Sequence, residues 1–167
     1  LIFMFATFAV GFLYPDFFQD EFLEIVEPYG LVGFFFLSIF LELVPQFATP
    51  IILFFIGGVL EIGILGVYLS VACGSIIGSL GGFWIGDKYG EEVTKDFVGD
   101  RNFTKVGRWL NGFGKYVVFL AAMSPIPYIP MVIGALGMNI KRFIVWGIFP
   151  RILFYGLYVW IIYGWLV

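Results

Sequence analysis

Residues 45–57 read PQFATPIILFFIG, and residues 125–137 read PIPYIPMVIGALG. In each, two prolines stand five positions apart and a glycine follows seven positions after the second. Pro45 and Pro125 differ by 80 positions, as do Pro50 and Pro130, and Gly57 and Gly137. Apolar residues fill the gap, Ile51-Ile52-Leu53 in one copy and Met131-Val132-Ile133 in the other. With only eight prolines in the chain, the match points to an internal duplication. Proline lacks the N–H that a helix interior needs, so each stretch is a break in an otherwise apolar helical run.

Around the first break, the arm of residues 31–44 reaches roughly 21 Å as a helix and the arm of residues 51–60 roughly 15 Å. Neither comfortably spans about 30 Å of hydrocarbon. Residues 31–60 are therefore expected to form a re-entrant hairpin, which enters and leaves on one side. Residues 116–140, broken by Pro125, Pro127 and Pro130, are expected to form a second. Each hairpin precedes a long apolar run, residues 62–86 and residues 143–167, and both runs are long enough to cross. One crossing between two hairpins puts their entrances on opposite faces. The expected fold is thus an all-α integral membrane protein, a single polytopic domain built as an inverted repeat of two proline-broken re-entrant hairpins. In such folds, broken helices place a site near the midplane.

Composition agrees. Of 167 residues, 61% are hydrophobic, 22% aromatic and only 13% charged, far from the balance of a soluble domain. Residues 1–14 are expected as an N-terminal membrane helix, cut short at its start. Residues 16–29 carry five acids and no base, interleaved with Phe17, Phe18, Phe22, Leu23, Ile25 and Val26. They read as an amphipathic helix lying at the interface. Residues 87–115 hold six of the nine bases and read as a solvated loop containing an amphipathic helix. With Lys141 and Arg142 they place eight of nine bases on one side. The positive-inside rule makes that side cytoplasmic, and a prokaryotic cell membrane is the expected location.

Two charges lie within apolar segments, Glu42 and Arg151. Each costs about 2.5–3.5 kcal/mol at a helix centre on insertion scales, so such residues face a partner, a cavity or water. A Glu42–Arg151 pair is expected. It reads either as a structural ion pair or as a working site in which Arg151 meets an anionic headgroup and Glu42 exchanges a proton. Gln46, Thr49, Ser124 and Tyr128 sit at the breaks, where they either line a hydrated groove or cap freed backbone groups. Gly74, Gly78, Gly82 and Gly86, continued by Gly90, form a stripe at spacing four, which permits close helix packing or serves as a partner surface. Glu61 and Asp87 read as solvated helix-end charges.

Histidine is absent and Cys73 is the single cysteine. No Ser-His-Asp set, GK[ST] phosphate loop or CxxC is present, so no enzyme, cofactor or metal is expected. A net charge of −3 argues against nucleic acid.

The runs Glu42-Leu-Val-Pro45, Gly74-Ser-Ile-Ile-Gly78, Trp84-Ile-Gly86-Asp-Lys-Tyr-Gly90 and Ser124-Pro-Ile-Pro-Tyr128, leading to Gly134-Ala-Leu-Gly137-Met138, resemble the DedA family, the SNARE-associated or VTT-domain superfamily. They look most like its YqaA-like branch. The resemblance implies two opposed re-entrant hairpins and movement of phospholipid or polyprenyl-phosphate headgroups between leaflets, by a flippase or scramblase. It places Glu42 at the family's acid before the first break and Arg151 at an arginine of the last span. The chain departs from the family at Ile51 and Ile52, where an acid is common. It departs also at Met123, Tyr128 and Phe154, where arginines are common. These departures favour passive scrambling over proton coupling. The expected partners are membrane lipids with an anionic or phosphate-bearing headgroup, protons, and a second copy of the chain. A proton-coupled small-solute transporter and a non-transporting membrane organiser are the alternatives.

Overall fold

The computed structural model describes residues 29–43, 50–59, 62–123 and 128–166. The expected helix of residues 1–14, and that of residues 16–29 up to residue 28, lie outside the described residues, as do Pro45, Gln46, Thr49, Glu61, Ser124, Pro125 and Pro127. The described chain forms α1 (Gly30–Leu43), α2 (Ile51–Val59), α3 (Ile64–Val98), α4 (Asp100–Phe113), α5 (Lys115–Met123), α6 (Ile129–Ala135), α7 (Ile140–Phe143) and α8 (Phe149–Leu166). A π-helical turn, Ile144–Ile148, joins α7 to α8. Among the described residues there is no strand.

Two stretches are long and apolar enough to cross a membrane, Ile64–Val98 and Ile140–Ile161. They run antiparallel. Phe83 stacks on Phe143 with centroids 4.8 Å apart, and farther along the Tyr68 hydroxyl donates to the Ile152 carbonyl at 3.3 Å.

Glycine decides how the shorter helices meet α3. A Cβ at Gly66 would run into Leu31, at Gly74 into the Phe35 carbonyl, and at Gly78 into Glu42. Residue numbers rise together, so α1 lies parallel to the first half of α3. Lower down, a Cβ at Gly86 would overlap the Met131 carbonyl, and one at Gly134 the Phe83 carbonyl. There α6 lies parallel to the second half. The stripe is thus shared by two helices, and its small residues let backbones approach closely. Of the two readings of the stripe, the contacts are those of close helix packing, because α1 and α6 already cover Gly74 to Gly86. On its outward face α3 presents Leu65, Leu69, Ile77 and Trp84, all exposed. Small residues inside and large apolar ones outside invert the pattern of a soluble core helix.

Gly90 does not continue the stripe. At φ 74 and ψ −164 it leaves helical geometry and bends α3, a conformation that costs glycine little. Beyond the bend the helix runs on to Val98, so residues 87–98 continue the helix of the central span, whose expected end is Gly86. Thr94 steadies this turn by donating to the Gly90 carbonyl at 2.8 Å. Gly99 and Gly114 then make the turns that bring the chain through α4 into α5.

α5 pairs with the last span as α1 pairs with α3. Tyr116 meets Trp146 edge-on at 6.2 Å, and Phe119 meets Phe154 at 6.1 Å, again in parallel order. The second arms cross over. α6 packs on α3, and α2 packs on α8, where Phe54 meets Tyr155 edge-on at 5.2 Å. Correspondence at the expected spacing is inexact: Pro50 precedes α2 whereas Pro130 lies in the first turn of α6, and the glycines differ as well. Gly57 lies inside α2, whereas Gly137, at φ 74, follows the end of α6. There Met138 N–H bonds back to the Ile133 carbonyl at 3.3 Å and closes the helix end.

Candidate functional site

The site forms where α1, α3 and α8 meet. α1 is apolar apart from Ser38 near its middle and Glu42 near its end. Both are buried, Glu42 to 3% exposure. The Ser38 hydroxyl donates to the Val71 carbonyl at 2.8 Å, which locks α1 against α3 one turn before Glu42. Gly78 then lets the Glu42 stem lie directly on the α3 backbone.

Arg151 reaches the same place from α8. Pro150 precedes it and has no N–H for the Trp146 carbonyl. The helix answers by widening: Phe149 N–H bonds to Ile144 O, five residues back, across the π turn. The extra residue in that turn re-aims the residues that follow, and such bulges cluster at functional sites. Arg151 is 6% exposed.

Glu42 and Arg151 form an ion pair through Oε1 and Nη1. Two serines of α3, one turn apart, complete the cluster. Ser79 donates to Glu42 Oε1 at 2.9 Å and Ser75 to Oε2 at 3.1 Å. Arg151 Nη1 also donates to Ser79, and to Ser75 at 3.4 Å. Ser75 has one proton, given to Glu42, so in its 2.9 Å contact with Tyr155 the tyrosine donates. Both carboxylate oxygens are thus held by hydroxyls independently of the arginine. Among the described residues, the hydrogen bonds of Arg151 all leave from Nη1. A guanidinium has five N–H donors in a planar fork, suited to carboxylate or phosphate.

Of the residues expected at the site, the structure brings Glu42 and Arg151 together and leaves Tyr128 apart. Tyr128 is half-buried at the entry to α6 and packs against the apolar cluster around Phe83 and Val132. Pro50 precedes α2, and Pro130 lies in the first turn of α6, where its missing N–H is least costly. Gly78 does more than pack, since it seats Glu42. Sequence reasoning missed Ser75, Ser79 and Tyr155. The signal was present: each serine follows a stripe glycine by one position, so a face that buries the glycines also turns the hydroxyls inward.

The profile of the VTT domain matches residues 44–164, well over half of the chain. The chain belongs to the VTT domain family. The match supports the DedA/SNARE-associated resemblance. Together with the two long apolar helices it makes this a membrane protein. Ser75, Ser79, Arg151 and Tyr155 fall inside the VTT match, and Glu42 stands two positions before it. No curated protein and no solved structure matches the chain.

Proposed function

We propose that this VTT domain protein moves lipid between leaflets as a flippase or scramblase of phosphate-bearing headgroups. In this reading α1–α2 and α5–α6 are re-entrant hairpins that enter from opposite faces of a prokaryotic cell membrane. The basic segment of residues 87–115 is cytoplasmic, and the protein falls in the YqaA-like branch. The cross-over of the second arms, α2 onto α8 and α6 onto α3, supports the inverted repeat. So does the parallel pairing of each first arm with the span after its hairpin.

The observation that carries the proposal is the Glu42–Arg151 pair, buried beside two hydroxyls where α1 ends against α3. A headgroup phosphate exchanges with Glu42 for Arg151, which stays charged and binds phosphate through two parallel N–H bonds. The freed carboxylate keeps its bonds to Ser75 and Ser79, which lowers the cost of separating the pair. When the phosphate leaves, the pair re-forms and the site resets. The headgroup thus finds a counter-charge part-way through about 30 Å of hydrocarbon, while its tails stay in lipid. The absence of an acid at Ile51 and Ile52 favours passive exchange.

The test is leaflet exchange of fluorescent phospholipid in vesicles, read by bleaching the outer label. Wild-type protein should make both leaflets accessible within minutes, and Glu42→Gln or Arg151→Ala should slow this markedly. Exchange no faster than in protein-free vesicles defeats the proposal. Solute uptake driven by a pH gradient, without lipid exchange, selects the proton-coupled transporter instead. Neither exchange nor uptake, with Glu42→Gln and Arg151→Ala tolerated but Gly78 and Gly82 sensitive to substitution, selects a non-transporting organiser.

A further inference from the structure

A half-open cavity of about 380 Å³ lies between α4 and α5. Trp109 and Phe113 of α4 line it, with Tyr116, Leu120 and Ala121 of α5 and Ile129 of α6. No charged side chain lines it, and its volume falls within the usual range of ligand pockets. Phe113, Tyr116 and Leu120 are each at least 60% exposed, so the groove opens outward.

Two ammonium groups stand on its aromatic walls. Lys105 Nζ lies 4.7 Å from the Trp109 ring centroid. Lys115 Nζ lies 5.5 Å from that of Tyr116 and 4.5 Å from that of Trp146. Among the described residues neither lysine has a carboxylate within ion-pair distance. Residues 100–123 hold four bases, Arg101, Lys105, Arg108 and Lys115, against the single acid Asp100. α4 is amphipathic, with Phe103 and Val106 buried and its bases exposed, the pattern of a helix lying in a membrane interface.

We propose that this groove is a binding site for an anionic phospholipid of the surrounding leaflet. One acyl chain fills the slot between Trp109 and Leu120, and the phosphate rests between Lys105 and Lys115. The apolar walls call for hydrocarbon and the two cations on the groove's aromatic rings for an anion. In a bilayer one molecule carries both at the right depth, with aromatic rings at the headgroup level. The site shares no residue with the Glu42–Arg151 cluster and does not require that lipid be transported.

The test places the full chain in phosphatidylcholine nanodiscs doped with either brominated phosphatidylglycerol or brominated phosphatidylcholine. Tryptophan quenching is read, and the Trp109 contribution is taken by difference from Trp109→Phe. Brominated phosphatidylglycerol should quench Trp109 at lower doping than brominated phosphatidylcholine, with a preference of about fivefold per lysine. Lys105→Gln with Lys115→Gln, both exposed and so compatible with folding, should erase the preference. Ala121→Phe, which fills the slot, should reduce quenching by both lipids. Equal quenching by the two lipids overturns the proposal, as does a preference that survives the double lysine variant. A dimer that Phe113→Ser or Leu120→Ser disrupts also overturns it, because a second copy would then own the groove. Quenching is read at equilibrium, so this result and the leaflet-exchange result pass or fail separately.

Discussion

The two halves of α3 use the same device for different ends. In the upper half, Gly74 and Gly78 admit α1, and the contact carries Ser38, Glu42, Ser75 and Ser79. In the lower half, Gly82 and Gly86 admit α6, and the contact is Met131, Gly134 and Phe83, backbone against backbone with no buried charge. Glycine spacing is continuous through both. What differs is the residue beside each glycine: a serine follows Gly74 and Gly78, while Phe83 and Asp87 follow Gly82 and Gly86. Close helix approach is therefore a general solution for holding short arms to a long span. The polar filling of the upper contact is a separate feature, and the one that invites a functional explanation.

Breaking the upper contact should have the largest effect. Arg151→Ala strands a buried carboxylate and should cost about 3–5 kcal/mol, read as lost unfolding free energy in detergent titrated with SDS. Replacing both charges, Glu42→Leu with Arg151→Met, should recover most of that stability, since a packed apolar pair often equals a buried ion pair. Leaflet exchange should stay lost. A double variant that is both stable and active would reduce the pair to scaffolding.

The lower contact should fail through sterics alone. At Gly86 a valine would overlap the Met131 carbonyl, and backbone cannot rotate away. Overpacking of this kind costs about 1–3 kcal/mol, occasionally more, checked by the same titration. If Gly86→Val folds as wild type, the two halves are not held by one principle.

Between these lies Ser79→Ala, which removes a hydroxyl from the carboxylate without stranding a charge. It should cost about 2 kcal/mol, as expected for a bond to an ionised group, and should slow exchange less than Arg151→Ala. The smallest effect is expected at Gly82→Ala. Its Cβ would meet nothing closer than 3.8 Å, so stability should change by less than about 0.5 kcal/mol. Together, Gly82 and Gly86 test whether register, rather than glycine content, sets the lower contact.

Much of this was readable in one dimension. Glu42 and Arg151 stand out because a charge in an apolar run is costly wherever the chain folds. The prolines mark where helices start, and helix does begin at Ile51 directly after Pro50 and at Ile129 directly before Pro130. Less readable was the boundary after Gly86. The polarity of residues 87–115 suggests a solvated loop with a separate amphipathic helix in it, yet a polar segment continues an existing helix easily once nucleation is behind it. The π turn before Arg151 was also missed, because Pro150 signals a disturbance without saying whether the helix kinks or widens.

The sequence by itself determined the class of the protein, its family, the starts of the helices at Pro50 and Pro130 and the two residues whose charge must be compensated. Those are local facts, set by the cost of a missing N–H or of an ion in hydrocarbon. Only the tertiary structure decided that α1 and α6 divide one glycine stripe between them, and that Ser75, Ser79 and Tyr155 join the ion pair. Those contacts join residues up to 109 positions apart in the chain, and they depend on which helix faces meet, which packing settles and no single segment encodes.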